Sequence, residues 1–287
     1  MKAFSVLLKK WQIQLGIAMV CATTLPFNAF AQQTLPKWEL GLGPGIISYP
    51  DYPGSKEQNN LIIPFPYVTY RGKDFEIDQR EAKKPLYVFG EWELDLSLTG
   101  SVPVSSKDNK MRQGMDDLDT TVGFGPVLKY RLIHRHLNEL KLEMPVYWAI
   151  ATNFRSLHDE GVKTTPGLYY YFRKSFSSDQ RIKITLYTNA NFATAKNNNY
   201  FYEVKAYEAT SWRPDYRTEG GFGGYSYGAS VNWHFGNFWL GAFYKLTDLS
   251  EAVFRHSPLV ETTRAETFGA ALTWNFYKSS ETVEGLE

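Results

Sequence analysis

The stretch Phe268-Gly269-Ala270-Ala271-Leu272-Thr273-Trp274-Asn275-Phe276 decides the fold. Phe268, Ala270, Leu272, Trp274 and Phe276 are apolar, and the residues between them, Gly269, Ala271, Thr273 and Asn275, are small or polar. A period of two marks a β-strand with one greasy face and one wet face. The same pattern recurs about ten times along the chain. Strands that all turn aromatic faces outward suit a transmembrane β-barrel, whose outer wall meets lipid while water or polar side chains fill the lumen.

Working back from that stretch, Trp92, Leu94, Leu96 and Leu98 alternate with Glu93, Asp95, Ser97 and Thr99. Val122, Phe124, Leu128 and Tyr130 alternate with Gly123, Gly125, Lys129 and Arg131, and Leu140, Leu142, Met144 and Val146 with Lys141 and Glu143. Charges that recur on one side of a strand cannot face lipid, so those sides point inward. A soluble β-sandwich or lipocalin-like barrel would put its greasy faces into one core. Its opposite choice here would bury Glu93, Asp95, Lys129, Arg131, Lys141, Glu143, Arg173 and Lys183 at prohibitive desolvation cost.

Further strands are read at Trp38–Ser48, Leu61–Tyr70, Phe75–Asp78, Leu86–Phe89, Pro166–Phe176, Arg181–Phe192, Tyr225–Phe235, Phe238–Leu246 and Ala265–Phe276. Pro64 and Pro66 sit awkwardly in a central strand and imply a bend or bulge. Short links (Arg71–Asp74, Gly90–Glu91, His134–Asn138, Ser177–Gln180, Gly236–Asn237) alternate with long ones (Tyr49–Asn60, Gln79–Lys84, Ser105–Thr120, Thr152–Thr165, Ala193–Gly224, Thr247–Arg264). Periplasmic turns and extracellular loops produce that alternation. The expected fold is therefore an all-β, antiparallel, up-and-down transmembrane barrel of twelve strands, or of ten if Phe75–Phe89 does not supply two wall strands.

Residues 1–31 read as an export signal: Lys2, Lys9 and Lys10, then a modest apolar run from Ile13 to Leu25, then Ala29-Phe30-Ala31 as the cleavage site. Cleavage after Ala31 would leave residues 32–276 as the barrel and 277–287 as a C-terminal periplasmic tail. The single cysteine, Cys21, lies in the signal, so neither a disulfide nor a thiolate metal site is expected beyond it. Removing the signal's three lysines from 31 basic residues leaves 28 against 30 acidic ones, a balance that excludes nucleic acid as a partner. Aromatic residues make up 16% of the chain, a surplus that interfacial girdles would absorb.

Several residues invite catalytic or metal readings. His134-x-His136 lacks a third ligand nearby. His158-Asp159 lies in an expected outer loop, where neighbours on an extended chain point apart. His256-Ser257 has the right types for a base and a nucleophile, but sequence neighbours seldom meet in that geometry. Gly220-Gly221-Phe222-Gly223-Gly224 lacks the strand-then-helix context of a phosphate loop and reads as a flexible loop end. No enzyme activity, catalytic residue, cofactor or metal is expected. The inward charges could line a conduction path or pair into a plug; the mixture of signs on neighbouring strands favours the plug.

Pro50-Asp51-Tyr52-Pro53-Gly54-Ser55, followed by Pro64-Phe65-Pro66-Tyr67 and Tyr70-Arg71, resembles the MipA/OmpV family, the MltA-interacting proteins of the outer membrane. Tyr227-Gly228, Trp239-Leu240-Gly241, Ser257-Pro258 and Leu272-Thr273-Trp274-Asn275-Phe276 extend the likeness over Trp38 to Phe276. Two departures stand out: His256 replaces a frequent acidic residue, and Tyr277 to Glu287 follow the aromatic at which such chains usually end. The resemblance implies a non-enzymatic scaffold that gathers a murein lytic transglycosylase and a murein synthase beneath the outer membrane. Outer-membrane lipid and the barrel-assembly machinery are the other expected partners. Gly269, Leu272, Trp274 and Phe276 would carry the assembly signal, with a disordered tail behind. A channel for small solutes is the alternative.

Overall fold

The computed structural model describes residues 34–72, 75–79, 82–153, 155–177 and 179–284; the expected export signal at 1–31 lies outside them. Its strands are β1 (Thr34–Pro36), β2 (Trp38–Pro50), β3 (Gln58–Arg71), β4 (Glu76–Ile77), β5 (Ala82–Phe89), β6 (Trp92–Ser101), β7 (Thr120–Arg135) and β8 (Asn138–Thr152). Then come β9 (Leu157–Thr164), β10 (Gly167–Ser177), β11 (Gln180–Ala193), the helix α1 (Ala195–Tyr202), β12 (Gly221–Phe235), β13 (Phe238–Asp248), β14 (Arg264–Lys278) and β15 (Thr282–Glu284).

From β2 to β14 each strand pairs antiparallel with the next around a ring, and β14 returns to β2. β9 and β10 are one wall strand. Both pair with β8 and share one register where they meet, Thr164 opposite Val146 and Gly167 opposite Glu143; the ladder lapses between them at Thr165-Pro166, where proline has no N–H to give, and shifts by one residue between Trp148 and Ile150. Counted so, the wall has twelve strands, as the sequence predicts, and both β4 and β5 belong to it. Closure matters because every backbone N–H and C=O in hydrocarbon needs a partner, and a ring supplies one to each strand wherever its neighbours run alongside.

The alternation holds as read. Trp274 and Phe276 are each 56% exposed on the outside, while Asn275 between them is 3% exposed. Glu39, Asp95, Lys129, Glu139 and Glu143 are buried inside.

Three expected loops take up more structure than the sequence reading gave them. Leu157–Thr164, placed in the loop Thr152–Thr165, raises the wall as β9. The Ala193–Gly224 connection holds α1, and Gly221–Gly224, read as a flexible loop end, opens β12. Residues 277–284 do not trail: β14 continues to Lys278, and β15 pairs antiparallel with β1, with Ser279 N–H bonded to Trp38 O at 3.0 Å. Strands of three residues are too short to show a period of two.

One side of the wall is low. β4 covers β3 only at Tyr70 and Arg71, and β5 covers β6 only up to Ser97. Among the described residues, no strand pairs with Gln58–Thr69 on the side away from β2. This explains the prolines of β3. Opposed residues of antiparallel strands exchange two backbone hydrogen bonds or none. Pro44 faces Pro64 and Leu42 faces Pro66 in an unbroken register, so the backbone nitrogens of Pro64 and Pro66 turn away from β2. They turn toward the unladdered side, where no N–H is required. At the lower end of that edge, Gln79 Nε2 donates to Val68 O (3.3 Å) and Thr69 Oγ1 (2.9 Å), a side chain replacing a strand.

Candidate functional site

The lumen is organised in three levels between the long extracellular loops and the short periplasmic turns. The upper level is a cap. Pro50–Ser55 folds into its centre, where Tyr52 is 2% exposed and its hydroxyl donates to Leu259 O at 3.0 Å. Gly54, at φ +105°, leaves its carbonyl to accept from the N–H groups of Glu261 and Thr262. Tyr52, Val104, Leu118, Tyr202, Val204, Leu249, Phe254 and Leu259 form a hydrophobic core of the cap's own, with the Tyr202 and Phe254 rings stacked 3.7 Å apart.

Two buried guanidiniums stitch this core to backbone. Arg213 donates to Met111 O, Gln113 O and Glu208 O, and Arg112 to Phe201 O and Asp116 O. Burial pushes the Tyr52 and Tyr202 phenols far above their ordinary value and Tyr200 up to about 12, and holds Arg112 below its own.

The lower level, beside the periplasmic turns, is an ionic floor. Glu39 Oε1 accepts from Arg71 Nη1 and Arg181 Nη2, both at 2.9 Å, joining β2, β3 and β11 across the lumen. Glu139 meets Arg173 at 2.7 Å, Lys141 at 3.3 Å and Arg131 at 3.3 Å. Lys129 holds Asp95 at 2.6 Å, Lys141 holds Glu93 at 3.2 Å, and Tyr171 Oη donates to Glu143 at 2.6 Å. Glu93, Asp95, Lys129, Arg131, Lys141, Glu143 and Arg173 are residues whose charge first marked the inner face, and they are paired as a plug requires.

Between cap and floor lies a cavity of about 700 Å³. Arg71, Arg173 and Arg181 contribute to its bottom, Phe65, Tyr67, Tyr187, Trp239 and Phe243 to its walls, and Lys245 to its upper part. Phe65 and Trp239 stack 5.6 Å apart, and Tyr67 Oη lies 2.8 Å from His234 Nε2. The cavity reaches Ile63 and Phe65 of β3 and Thr99 and Gly100 of β6, the two borders of the low side of the wall.

The residues singled out for chemistry are not brought together. His134 sits 3.8 Å from Glu139 at the edge of the floor. His158 approaches Ser156 Oγ (3.1 Å), whereas Asp159, on the strand where a loop was expected, accepts from Trp148 Nε1 (2.6 Å) and Lys196 Nζ (2.7 Å). His256 takes a hydrogen bond from Arg255 Nε, and Ser257 Oγ donates to Tyr202 O at 2.8 Å. Ser257 is thus a tether of the cap, not a nucleophile beside a base. Sequence reasoning missed the cap core and the cavity walls. Pro50–Ser55 and Ser257-Pro258 carried the only signal for the first. The second left none, because Phe65, Tyr67 and Trp239 look like ordinary barrel aromatics until the ring is closed.

Twelve antiparallel strands in a ring, apolar outside and charged within, define an outer-membrane β-barrel protein. The chain matches the family described as MltA-interacting protein MipA over residues 42–276, and it belongs to that family. Among solved structures it is similar to one described as the CymD monoaromatic hydrocarbon channel, at 10% identity over 85% of this chain and 89% of that one, with a TM-score of 0.32. A second is a Pseudomonas aeruginosa FadL homologue, at 9% identity over 87% and 92%, with a TM-score of 0.28. No curated protein matches the sequence.

Proposed function

We propose that this protein is a non-enzymatic, closed barrel that serves as an outer-membrane anchor for murein enzymes. The ionic floor carries the reading: Glu39 and Glu139 draw four guanidiniums from separate strands into the lumen just above the periplasmic turns. A conducting pore gains nothing from such a gate, whereas a docking platform gains a rigid underside. That underside includes the turns at His136–Leu137 and Gly236–Asn237 with the β1–β15 ribbon beside them. The family's description as MltA-interacting supports a murein-degrading enzyme as one partner; a murein synthase would be the second.

Crosslinking in intact envelopes followed by affinity capture tests this. A lytic transglycosylase and a murein synthase should be recovered with the protein, and lost when the His136–Leu137 and Gly236–Asn237 turns are replaced by Gly-Ser. Recovery of no murein enzyme would overturn the reading.

A further inference from the structure

We propose that the cavity between cap and floor is a binding site for a small organic anion with a flat ring, held by Lys245 and Lys163. The site stands on the lumen's own geometry, whatever docks beneath the barrel.

The first observation is charge. The floor pairs its cations with carboxylates, as a lumen of low dielectric demands. Lys245 and Lys163, higher in the barrel on β13 and β9, are different. Neither has a hydrogen-bond or ion-pair partner among the described residues. Lys245 lines the cavity. Lys163 enters the lumen from β9, its Cε 3.6 Å from where a Cβ on Gly123 would lie, a point 2.8 Å from Cγ2 of the cavity-lining Thr99. Both ammonium groups turn into the lumen, and no carboxylate among the described residues pairs with either. An anion bridging them would offset their charge and gain two charge-assisted hydrogen bonds.

The second observation is an unspent donor. Trp239 is 3% exposed, borders the same cavity, and its Nε1–H finds no acceptor among the described residues. A buried indole N–H left without a partner costs free energy that an acceptor on a ligand would restore.

The third observation is the shape of the wall. Three aromatic rings lie flat along it on glycine steps. A Cβ on Gly228 would fall 2.1 Å from the Tyr187 ring, one on Gly241 2.1 Å from the Trp239 ring, and one on Gly269 2.7 Å from the Phe243 ring. The glycines let these side chains lie along the wall without filling the lumen. They present ring faces and edges to whatever enters, a surface suited to another flat ring. A volume of about 700 Å³ falls within the range of small-molecule pockets. The low side of the wall between β3 and β6 offers the way in.

Benzoate, benzyl alcohol and acetate separate charge from ring, and calorimetric titration of the detergent-purified, full-length barrel reads their binding. Benzoate should bind at least about 10-fold more tightly than either of the others, the scale of one charge-assisted contact. Lys163→Met with Lys245→Met should bring benzoate down to the level of benzyl alcohol, whereas Lys245→Arg should retain binding. Phe243→Ala should shrink the advantage of benzoate over acetate. Heat-modifiable gel migration verifies that each variant is a folded barrel. Equal binding of benzoate and benzyl alcohol would overturn the proposal, as would benzoate affinity unchanged in the folded double-lysine variant.

Discussion

Tyr200 shows how single side chains hold the cap together. Its hydroxyl donates to Asp119 O at 3.1 Å, and burial raises its ionisation to about 12, against about 10 for an exposed tyrosine. Because the folded value lies above the unfolded one, its contribution is whole below pH 10 and is lost as the pH climbs toward 12. Tyr52 and Tyr202, shifted the same way, add to the effect. Limited proteolysis of the extracellular loops should therefore stay flat up to about pH 10 and accelerate between 10 and 12. Tyr200→Phe removes the ionisation, so it should blunt that rise at the cost of one hydrogen bond, about 1 kcal/mol. The residues behind this behaviour were only partly legible. Pro50–Ser55 stood out as a motif, but nothing along the chain says that Tyr52 meets Leu259 and Tyr202, since those contacts form only when loops far apart in sequence close over the lumen.

At the level of strands, period-two patterning was legible wherever one face had to meet lipid, which is why β6, β7, β8 and β14 were read correctly from alternation alone. Leu272 lies near the middle of the outer band on β14, 44% exposed and flanked by Phe268 and Phe276 toward its two ends. Leu272→Arg should destabilise the barrel in lipid vesicles by about 2–4 kcal/mol, the cost of a midplane arginine. In urea titrations it should be far more damaging than Thr267→Arg on the inner face of the same strand. β9 was missed because His158, Asp159, Glu160 and Lys163 mask any apolar alternation in a strand that extends the wall toward the loops. β15 was missed for want of length. It joins β1 by three residue pairs and the exposed Lys37–Glu281 ion pair, and such surface pairs are worth about 0–1 kcal/mol. Deleting residues 279–287 should therefore leave the yield of heat-modifiable barrel near that of the full chain, because β14 keeps its closing pairs with β13 and β2. A severe loss of assembled protein would show that the ribbon, and not Trp274 and Phe276, completes the closing strand.

For the whole molecule, the decisive property is that a twelve-strand ring, wide enough to hold water, is crossed at two levels. The cap spans it with a hydrophobic core, and the floor spans it with paired charges. The two levels fail differently. A hydrophobic core loosens gradually as contacts are lost, whereas a buried ion network depends on its hubs. Glu39 and Glu139 are those hubs, each binding guanidiniums from two different strands. Removing their charge leaves Arg71, Arg181, Arg173 and Arg131 facing one another without their shared partners, an arrangement that costs several kcal/mol and is relieved by swinging aside and admitting water and anions. Intact protein in planar bilayers should show little steady current. Glu39→Gln combined with Glu139→Gln should give a measurable conductance, and its reversal potential in a potassium chloride gradient should have the sign of chloride selectivity, because the charge left on the floor is positive. The same variant should keep its heat-modifiable migration, since the backbone ladders of the wall do not depend on either carboxylate. If the double variant stayed as silent as the wild type, the cap alone would seal the lumen. The floor would then be a brace between strands and not a gate.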